Sequence, residues 1–499
     1  MTNHKTNMTL RSGLAAACAF SMLAAGCAAA KPATKAELHE QAKAASGPPL
    51  IAKNDTPKID RTVSKEASAD FKAAVAFYED KAKKGLSNED CVAAAKKFES
   101  VAEEHDKLVE AWFNAGVSYQ KCGMTREAEA EYQKALKINP AHAPSLVNLG
   151  EIYYRGGNDR VGQQYFEQAI KADGTVGGAY VNLAWMNYDK MRGASSDAEK
   201  AKWEKEALFN LKNALAVDND NVVARVLMAM VYMEGSEKNK NRLDIAQLLL
   251  DGVLKNKPTL KDNASDDEKK VYAKDVAKYE QNSRYPLLYN ALGLLYMKRN
   301  SIGKALTYFR KAVELDGDFV EARLNLGFTV LGFRKYDDAA QDFDAVLKIQ
   351  PKNYDAKIGL GVAQRGQRKI DDAEASYKEA MALNKERGDA YFNLGVLWKD
   401  FRTNDPDQKK NREAYRTAKG YFRDYLTKSD VKGDKKKEAQ DYIEDCDKAI
   451  STLDQVINQI ENAPPEPAAK PEPAKTDAPA TPPPGDAPPK DPEATPKGK

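Results

Sequence analysis

Apolar residues recur along most of this chain at helical spacing, and the spacing itself repeats. Around Trp112 the order is Trp112-x2-Ala115-Gly116-x2-Tyr119, then Ala128-x3-Tyr132-x2-Ala135, then Pro140. Two apolar stripes with a polar stretch between them predict two helices joined by a short turn. The order returns at Leu146, Leu149, Gly150, Tyr153, Gly162, Phe166 and Ala169, with Gly150 following Gly116 by 34 positions. It returns in strict register at Tyr289, Leu292, Gly293, Tyr296, Ala305, Phe309, Ala312; at Leu326, Gly327, Ala339, Phe343, Pro351; and at Leu360, Gly361, Ala373, Tyr377, Ala380. Antiparallel helices that cross closely require Gly or Ala at the contact, and the aromatic residues then fill the space between units. These positions are therefore structural.

Other units are interrupted. Tyr180, Leu183 and Ala184 resume at Ala207, Leu211 and Ala214 after an insert at 190–206, where Ser196-x2-Glu199 predicts a capping box opening an extra helical turn. Met228, Ala229 and Tyr232 resume at Ala246, Leu250 and Val253, ending at Pro258. In the insert at 259–285, Val271, Tyr272, Val276 and Tyr279 have helical spacing, which predicts an additional packed helix that bends the array. The last unit begins at Tyr391, Leu394, Gly395 and Trp398, passes a polar insert at 400–415 and resumes at Ala418 and Phe422. A divergent hairpin with Phe77, Ala94 and Phe98 is expected to open the array and a helix within 431–462 to close it, since terminal repeats need one polar outer face.

The motif of Trp112, Ala115, Gly116, Tyr119, Ala128, Tyr132, Ala135 and Pro140 resembles the tetratricopeptide repeat. The resemblance implies an all-α superhelical solenoid of about eight to nine helical hairpins over 67–430, with the 431–462 helix as C-terminal cap. It implies protein binding, not catalysis.

The 30% content of charged residues suits helices with solvated outer faces. The net charge is only +3 with both signs interleaved, so nucleic acid is not expected as a partner. Residues 1–27 form a secretory signal: Lys5 and Arg11 precede an apolar run from Leu14 to Ala25, too short to span a bilayer. Its end, Leu23-Ala24-Ala25-Gly26-Cys27, resembles the bacterial lipobox, with Ala24 where the usual Leu stands and Leu23 one position further from the Cys. Lipid attachment at Cys27 and a periplasm-facing outer-membrane location are expected; ordinary cleavage near Ala28 to Ala30, releasing a soluble periplasmic protein, is the alternative. Residues 28–66 read as a flexible tether with a reach of about 35 Å. From Ala463 to Lys499 the chain is Pro-rich, with almost no large apolar side chain, and is expected to form a disordered tail. Of the five Cys, Cys91, Cys122 and Cys446 remain after the signal and anchor. Two readings stay open: a disulfide between Cys91 and Cys122, favoured by repeat geometry, or small buried hydrophobes with a spare thiol.

No catalytic or cofactor constellation is found. The four His, at 4, 39, 105 and 142, have no partner at zinc-ligand spacing, and no metal site is expected. Gly359-Leu360-Gly361 is the small-residue crossing of a repeat rather than a phosphate loop, and Asp337-Asp338 and Asp371-Asp372 fit turn or capping duty.

The informative surface is the concave one, formed by the first helix of each hairpin. Its inward positions include Phe113, Tyr154, Val181, Trp185, Tyr188, Met230, Met233, Leu294, Met297, Leu324, Phe328 and Phe392. Beside them runs a row of asparagines, Asn114, Asn148, Asn182, Asn325 and Asn393, at the position where the family uses amides to hold a partner's backbone. The paired Lys/Arg of the clamp that grips chaperone tails is missing. As a set the apolar residues predict a strip that receives an amphipathic helix or extended segment of another envelope protein, with packing inside the array or a homodimer as rivals. In length and layout the chain resembles tetratricopeptide proteins of adventurous gliding motility complexes. A recruiter or regulator of a peptidoglycan or outer-membrane assembly enzyme is the second class.

Overall fold

The computed structural model describes residues 64–235, 241–255, 257–428 and 433–462. The signal, Cys27, the tether up to residue 63 and the Pro-rich tail lie outside the described residues. Within them every regular element is an α-helix. In chain order these are α1 (Lys65–Lys84), α2 (Asn88–Glu104), α3 (Val109–Lys121), α4 (Thr125–Ile138), α5 (Ala143–Arg155), α6 (Asp159–Ala172), α7 (Gly177–Arg192), α8 (Asp197–Val217), α9 (Val222–Glu234) and α10 (Arg242–Lys255). There follow α11 (Asp266–Ser283), α12 (Pro286–Lys298), α13 (Ile302–Leu315), α14 (Val320–Gly332), α15 (Tyr336–Ile349), α16 (Tyr354–Gly366), α17 (Ile370–Leu383), α18 (Asp389–Phe401), α19 (Gln408–Leu426) and α20 (Asp434–Glu461). Eighteen of these twenty pair with their chain neighbour as nine antiparallel hairpins, leaving α11 as an insert and α20 as the terminal helix.

Each hairpin stacks on the next, and successive first helices touch: α5 packs on α7, α7 on α9, α12 on α14, α14 on α16 and α16 on α18. That row is the concave wall of the superhelix. The crossing inside a regular hairpin is a ring seated on a glycine. A Cβ at Gly293 would lie 2.3 Å from Phe309, and at Gly361 2.5 Å from Tyr377. No side chain fits without moving a buried ring, so substitution costs about 1–3 kcal/mol.

The turn inside these hairpins needs one residue in the left-handed region. Gly123 and Gly157 supply it, and Asn300, Arg334 and Arg368 take the same register place with φ of 55°, 58° and 65°. In each case the next residue's N–H reaches back to a carbonyl of the ending helix, as Lys335 does to Val330 at 3.2 Å. This closes the helix end and offsets the strain of a long side chain at positive φ.

Several expectations need correction. The opening hairpin is packed by Ala74 and by Phe71, whose ring lies 5.8 Å from that of Phe98. Phe77 instead lies under the ammonium groups of Lys97 and Lys81, at 4.9 and 5.7 Å, on the outer side. The insert at 190–206 runs from the last residues of α7 into the opening turns of α8, and only the cap differs from expectation. Ser196 caps α8 by accepting from the Glu199 N–H at 3.2 Å, but the Glu199 carboxylate accepts from Ser195 at 3.0 Å, so the reciprocal bond is displaced by one residue. The 400–415 insert becomes a short loop and the first turns of α19, where Asn411 and Ala414 are buried. Helix α11 exists and begins with a full capping box on Ser265 and Glu268; Tyr272, Val276 and Tyr279 are half-buried, and no side chain of it is fully buried. Val271 is 60% exposed. The helix is attached by the Tyr279 hydroxyl, which donates to the Leu254 carbonyl at 2.8 Å, and by Lys278 against Asp220 at 3.0 Å. The array continues beneath it, α9 and α10 packing directly on α12.

At the far end α20 covers α19. Tyr442 sits 5.2 Å from Phe422, and an ion-pair ladder runs along the seam: Lys409 to Glu461 and Arg412 to Asp454, both 2.7 Å, and Lys419 to Asp447. Cys446 is free and buried here, and burial pushes its thiol up to about 11. Cys91 and Cys122 are joined as a disulfide with their Cα atoms 6.3 Å apart, which ties α2 to the turn after α3.

Candidate functional site

The concave wall divides the sequence-derived residues into two groups. Phe113, Tyr154, Trp185, Leu294, Met297, Phe328 and Phe392 are half-buried and remain at the surface. Val181, Tyr188, Met230, Met233 and Leu324 are buried, with exposures of 1–8%. For these five the expected open strip is corrected: they belong to the packing of the array. For the first four the cause is α9, which is apolar over nearly its whole circumference and buries ten of its thirteen residues among α7, α8, α10 and α12. A helix of that kind has no face left for a partner. Leu324 instead packs in a separate cluster with Phe309 and Phe343. Tyr188 lies at 1% exposure, and burial followed by the Glu234 carboxylate raises its phenol well above the usual range.

The half-buried aromatics are anchored from below. Phe328 meets Phe343 edge-on at 4.8 Å, Trp185 meets Tyr188 at 5.8 Å, and Phe113 lies 5.7 Å from Tyr132 and 5.3 Å from His142. Phe392 is enclosed by Phe422, Tyr425 and Tyr442, so the terminal helix covers the last unit's share of the wall. Tyr154 donates to the Asp189 carboxylate of the following unit. Rings locked in this way present area at low entropy cost.

The asparagine row is partly spent inside the fold. Asn148 donates to the Tyr132 hydroxyl at 2.9 Å and Asn325 to the Asn290 carbonyl oxygen at 2.9 Å. Asn114 and Asn393 donate to carbonyls of their own helices, Glu110 at 2.7 Å and Asp389 at 2.9 Å. Asn182 is half-buried. The first and last of the row each keep a side-chain carbonyl and a second amide hydrogen.

The acidic pairs stand where helices begin. Asp337 and Asp338 open α15, Asp371 and Asp372 open α17, and Asp371 is paired with Arg402 from the next unit. Among the described residues one trio, Asp70, Glu104 and His105, brings possible ligand atoms within 4.8 Å of one another. Its visible work is the 3.0 Å contact of His105 Nε2 with Asp70, which joins α1 to the end of α2. One residue of the wall escaped the sequence reading. Arg365 stands in the register place of Tyr154, Tyr188 and Met297, and that shared place was the available signal.

An array of antiparallel hairpins with an aromatic concave wall is a repeat scaffold. Family profiles described as tetratricopeptide repeat match residues 109–142, 143–175, and 290–354, 330–381 and 358–400, and these stretches are tetratricopeptide repeats. The chain is similar to anaphase-promoting complex subunit 3 of Schizosaccharomyces pombe, 26% identical over 153 residues, which are 31% of this chain and 21% of that relative. It thus spans about a fifth of the curated relative it matches. Among solved structures, a thermophilic TPR protein of Thermus thermophilus is 18% identical, with 45% of this chain and 99% of that one covered and a TM-score of 0.34. The human IFIT1 dimer with PPP-AAAA is 18% identical, with coverage of 77% and 85% and a TM-score of 0.45. Tetratricopeptide arrays are generally interaction scaffolds without catalytic activity, and typically bind partner proteins.

Proposed function

We propose that this chain is a non-enzymatic scaffold of a bacterial cell envelope, anchored through Cys27 to the periplasmic side of the outer membrane. It holds helical or extended segments of other envelope proteins on its concave wall. The observation that carries the reading is the set of half-exposed residues, Trp185, Leu294, Met297 and Phe328, of which Trp185 and Phe328 rest on the buried rings of Tyr188 and Phe343. Apolar area held in this way on a concave wall fits an apolar stripe of a partner. The Cys91–Cys122 disulfide supports an oxidising compartment, in keeping with the signal and lipobox. A gliding motility assembly is the machine whose proteins the layout resembles.

The test is crosslinking pulldown from intact cells, wild type against Trp185→Glu with Phe328→Glu, helical circular dichroism being equal. Capture of a small set of envelope proteins by the wild type alone supports the reading and names the machine. Equal capture by both removes the wall as the binding site.

A further inference from the structure

One ring on one glycine makes the crossing of the regular hairpins: Phe166 on Gly150, Phe309 on Gly293, Phe343 on Gly327, Phe422 on Gly395. Two hairpins use tyrosine in that place, Tyr132 on Gly116 and Tyr377 on Gly361. The crossing needs only the ring. Each hydroxyl is therefore an addition, and an unfavourable one when buried without a bond.

At Tyr132 the bond is made. Its hydroxyl donates to Gln120 Oε1 at 2.6 Å and accepts from Asn148 of the next unit at 2.9 Å. In the later unit the same two register places hold Arg365 and Asn393. A guanidinium has no acceptor, and the Asn393 amide is given to the Asp389 carbonyl. Tyr377 is 0% exposed, and both its hydroxyl and Arg365 Nη1 are buried without a hydrogen-bond partner. The guanidinium lies 6.0 Å from the Tyr377 ring centre, and among the described residues Arg365 makes no ion pair. Behind one point of the concave wall, two buried donors thus lack an acceptor and the guanidinium lacks a carboxylate.

We propose that Arg365 and the Tyr377 hydroxyl form an anion subsite that takes a side-chain carboxylate, an Asp or Glu of the segment held by the wall. The proposal rests on the scaffold reading and adds a chemical requirement to its partner. A carboxylate supplies the missing acceptors and the missing charge together. A side chain fits better than a chain terminus, because the hydroxyl lies beneath the surface. A carboxylate on a side-chain stem reaches deeper than one on the main chain.

The full chain is labelled with 3-fluorotyrosine, and the Tyr377 resonance is identified by its loss in Tyr377→Phe. N-acetyl-glutamate N-methylamide, whose only carboxylate is on the side chain, should shift that resonance saturably; the glutamine analogue should not. Arg365→Gln should weaken the response by about tenfold or more. A response equal for both probes, indifferent to Arg365→Gln, or absent overturns the subsite, and a tighter response to N-acetyl-alanine overturns the side-chain assignment. Tyr377→Phe should leave Tm unchanged or raise it; a fall of several degrees means the hydroxyl is bonded inside the fold, and the proposal is wrong. In the pulldown, partners retained equally by Tyr377→Phe and Arg365→Gln sink the subsite and spare the scaffold. No partner for the wild type sinks the scaffold, and the fluorine titration alone then decides the subsite.

Discussion

The unbroken run α12 to α17 and the interrupted stretch α7 to α10 build one superhelix by different means. In the first, Phe309 and Phe343 wedge against Gly293, Gly327 and Gly359, and the inward residues Leu294, Met297 and Phe328 stay half-exposed. In the second the crossings pair small Ala184 and Ala229 with aliphatic Leu211 and Leu250, all at 0% exposure, and the inward residues Val181, Tyr188, Met230 and Met233 are buried. The places of Met230 and Met233 are core on α9, while Leu294, Phe328 and Met297 in those same places are half-exposed; Leu324 is buried in the first region too, and Trp185 stays half-exposed in the second. Concavity follows from the repeat, whereas exposure depends on how many neighbours enclose the helix.

Four measurements sharpen or break this contrast. Phe343→Ala empties a site shared by two glycines, and chemical denaturation should report a loss of about 3–5 kcal/mol, the largest of the series. Next, Met230→Ala and Met233→Ala should each lower stability by about 2–5 kcal/mol, as core residues do, while Met230→Leu stays within about 1.5. If both alanine variants melt like the wild type, the two regions do not differ and the wall is open throughout.

The third concerns Asp342, which faces Arg323 at 3.2 Å. Burial raises its carboxyl to about 6, with the Arg323 charge opposing. The folded value exceeds the unfolded one, so its protonation favours the fold below the unfolded value, and this contribution is lost as pH rises through about 6. Asp342→Asn should therefore flatten the decline in Tm between pH 5 and pH 7, an effect on the order of 1–2 kcal/mol. A decline of the same steepness in the variant would show that other groups carry it. Smallest of all, Val271→Asp on α11 should change stability by no more than about 0.5 kcal/mol, since the residue buries nothing. A larger loss would place α11 inside the cooperative unit.

Much of the fold was legible because its contacts are local. The Gly–ring crossing inside each regular hairpin joins residues of that hairpin, so Gly116 with Tyr132 or Gly293 with Phe309 can be paired from spacing alone, and strict recurrence fixes the stacking. The insert helix was legible as a helix, through Val271, Tyr272, Val276 and Tyr279, but not as an outboard one. Amphipathic spacing reports a potential face and not whether a surface lies opposite it. The site was half legible for the same reason. Phe113, Trp185 and Phe328 were found at the wall, while Met230, in the register place of Trp185 and Phe328, disappeared together with Met233 among the neighbours of α9. Arg365 was missed although its register place was known, because its meaning depends on what Tyr377 lacks.

By itself, then, the sequence determined the all-helical repeat, the crossings, the register of the inward side chains and the class of protein, since each follows from residues a few turns apart. Only the tertiary structure decided which inward residues remain open, that Cys91 reaches Cys122, that α11 stands off the array, and that the Tyr377 hydroxyl has no acceptor. Those outcomes depend on packing between units, where exposure and hydrogen bonding are set by several elements at once.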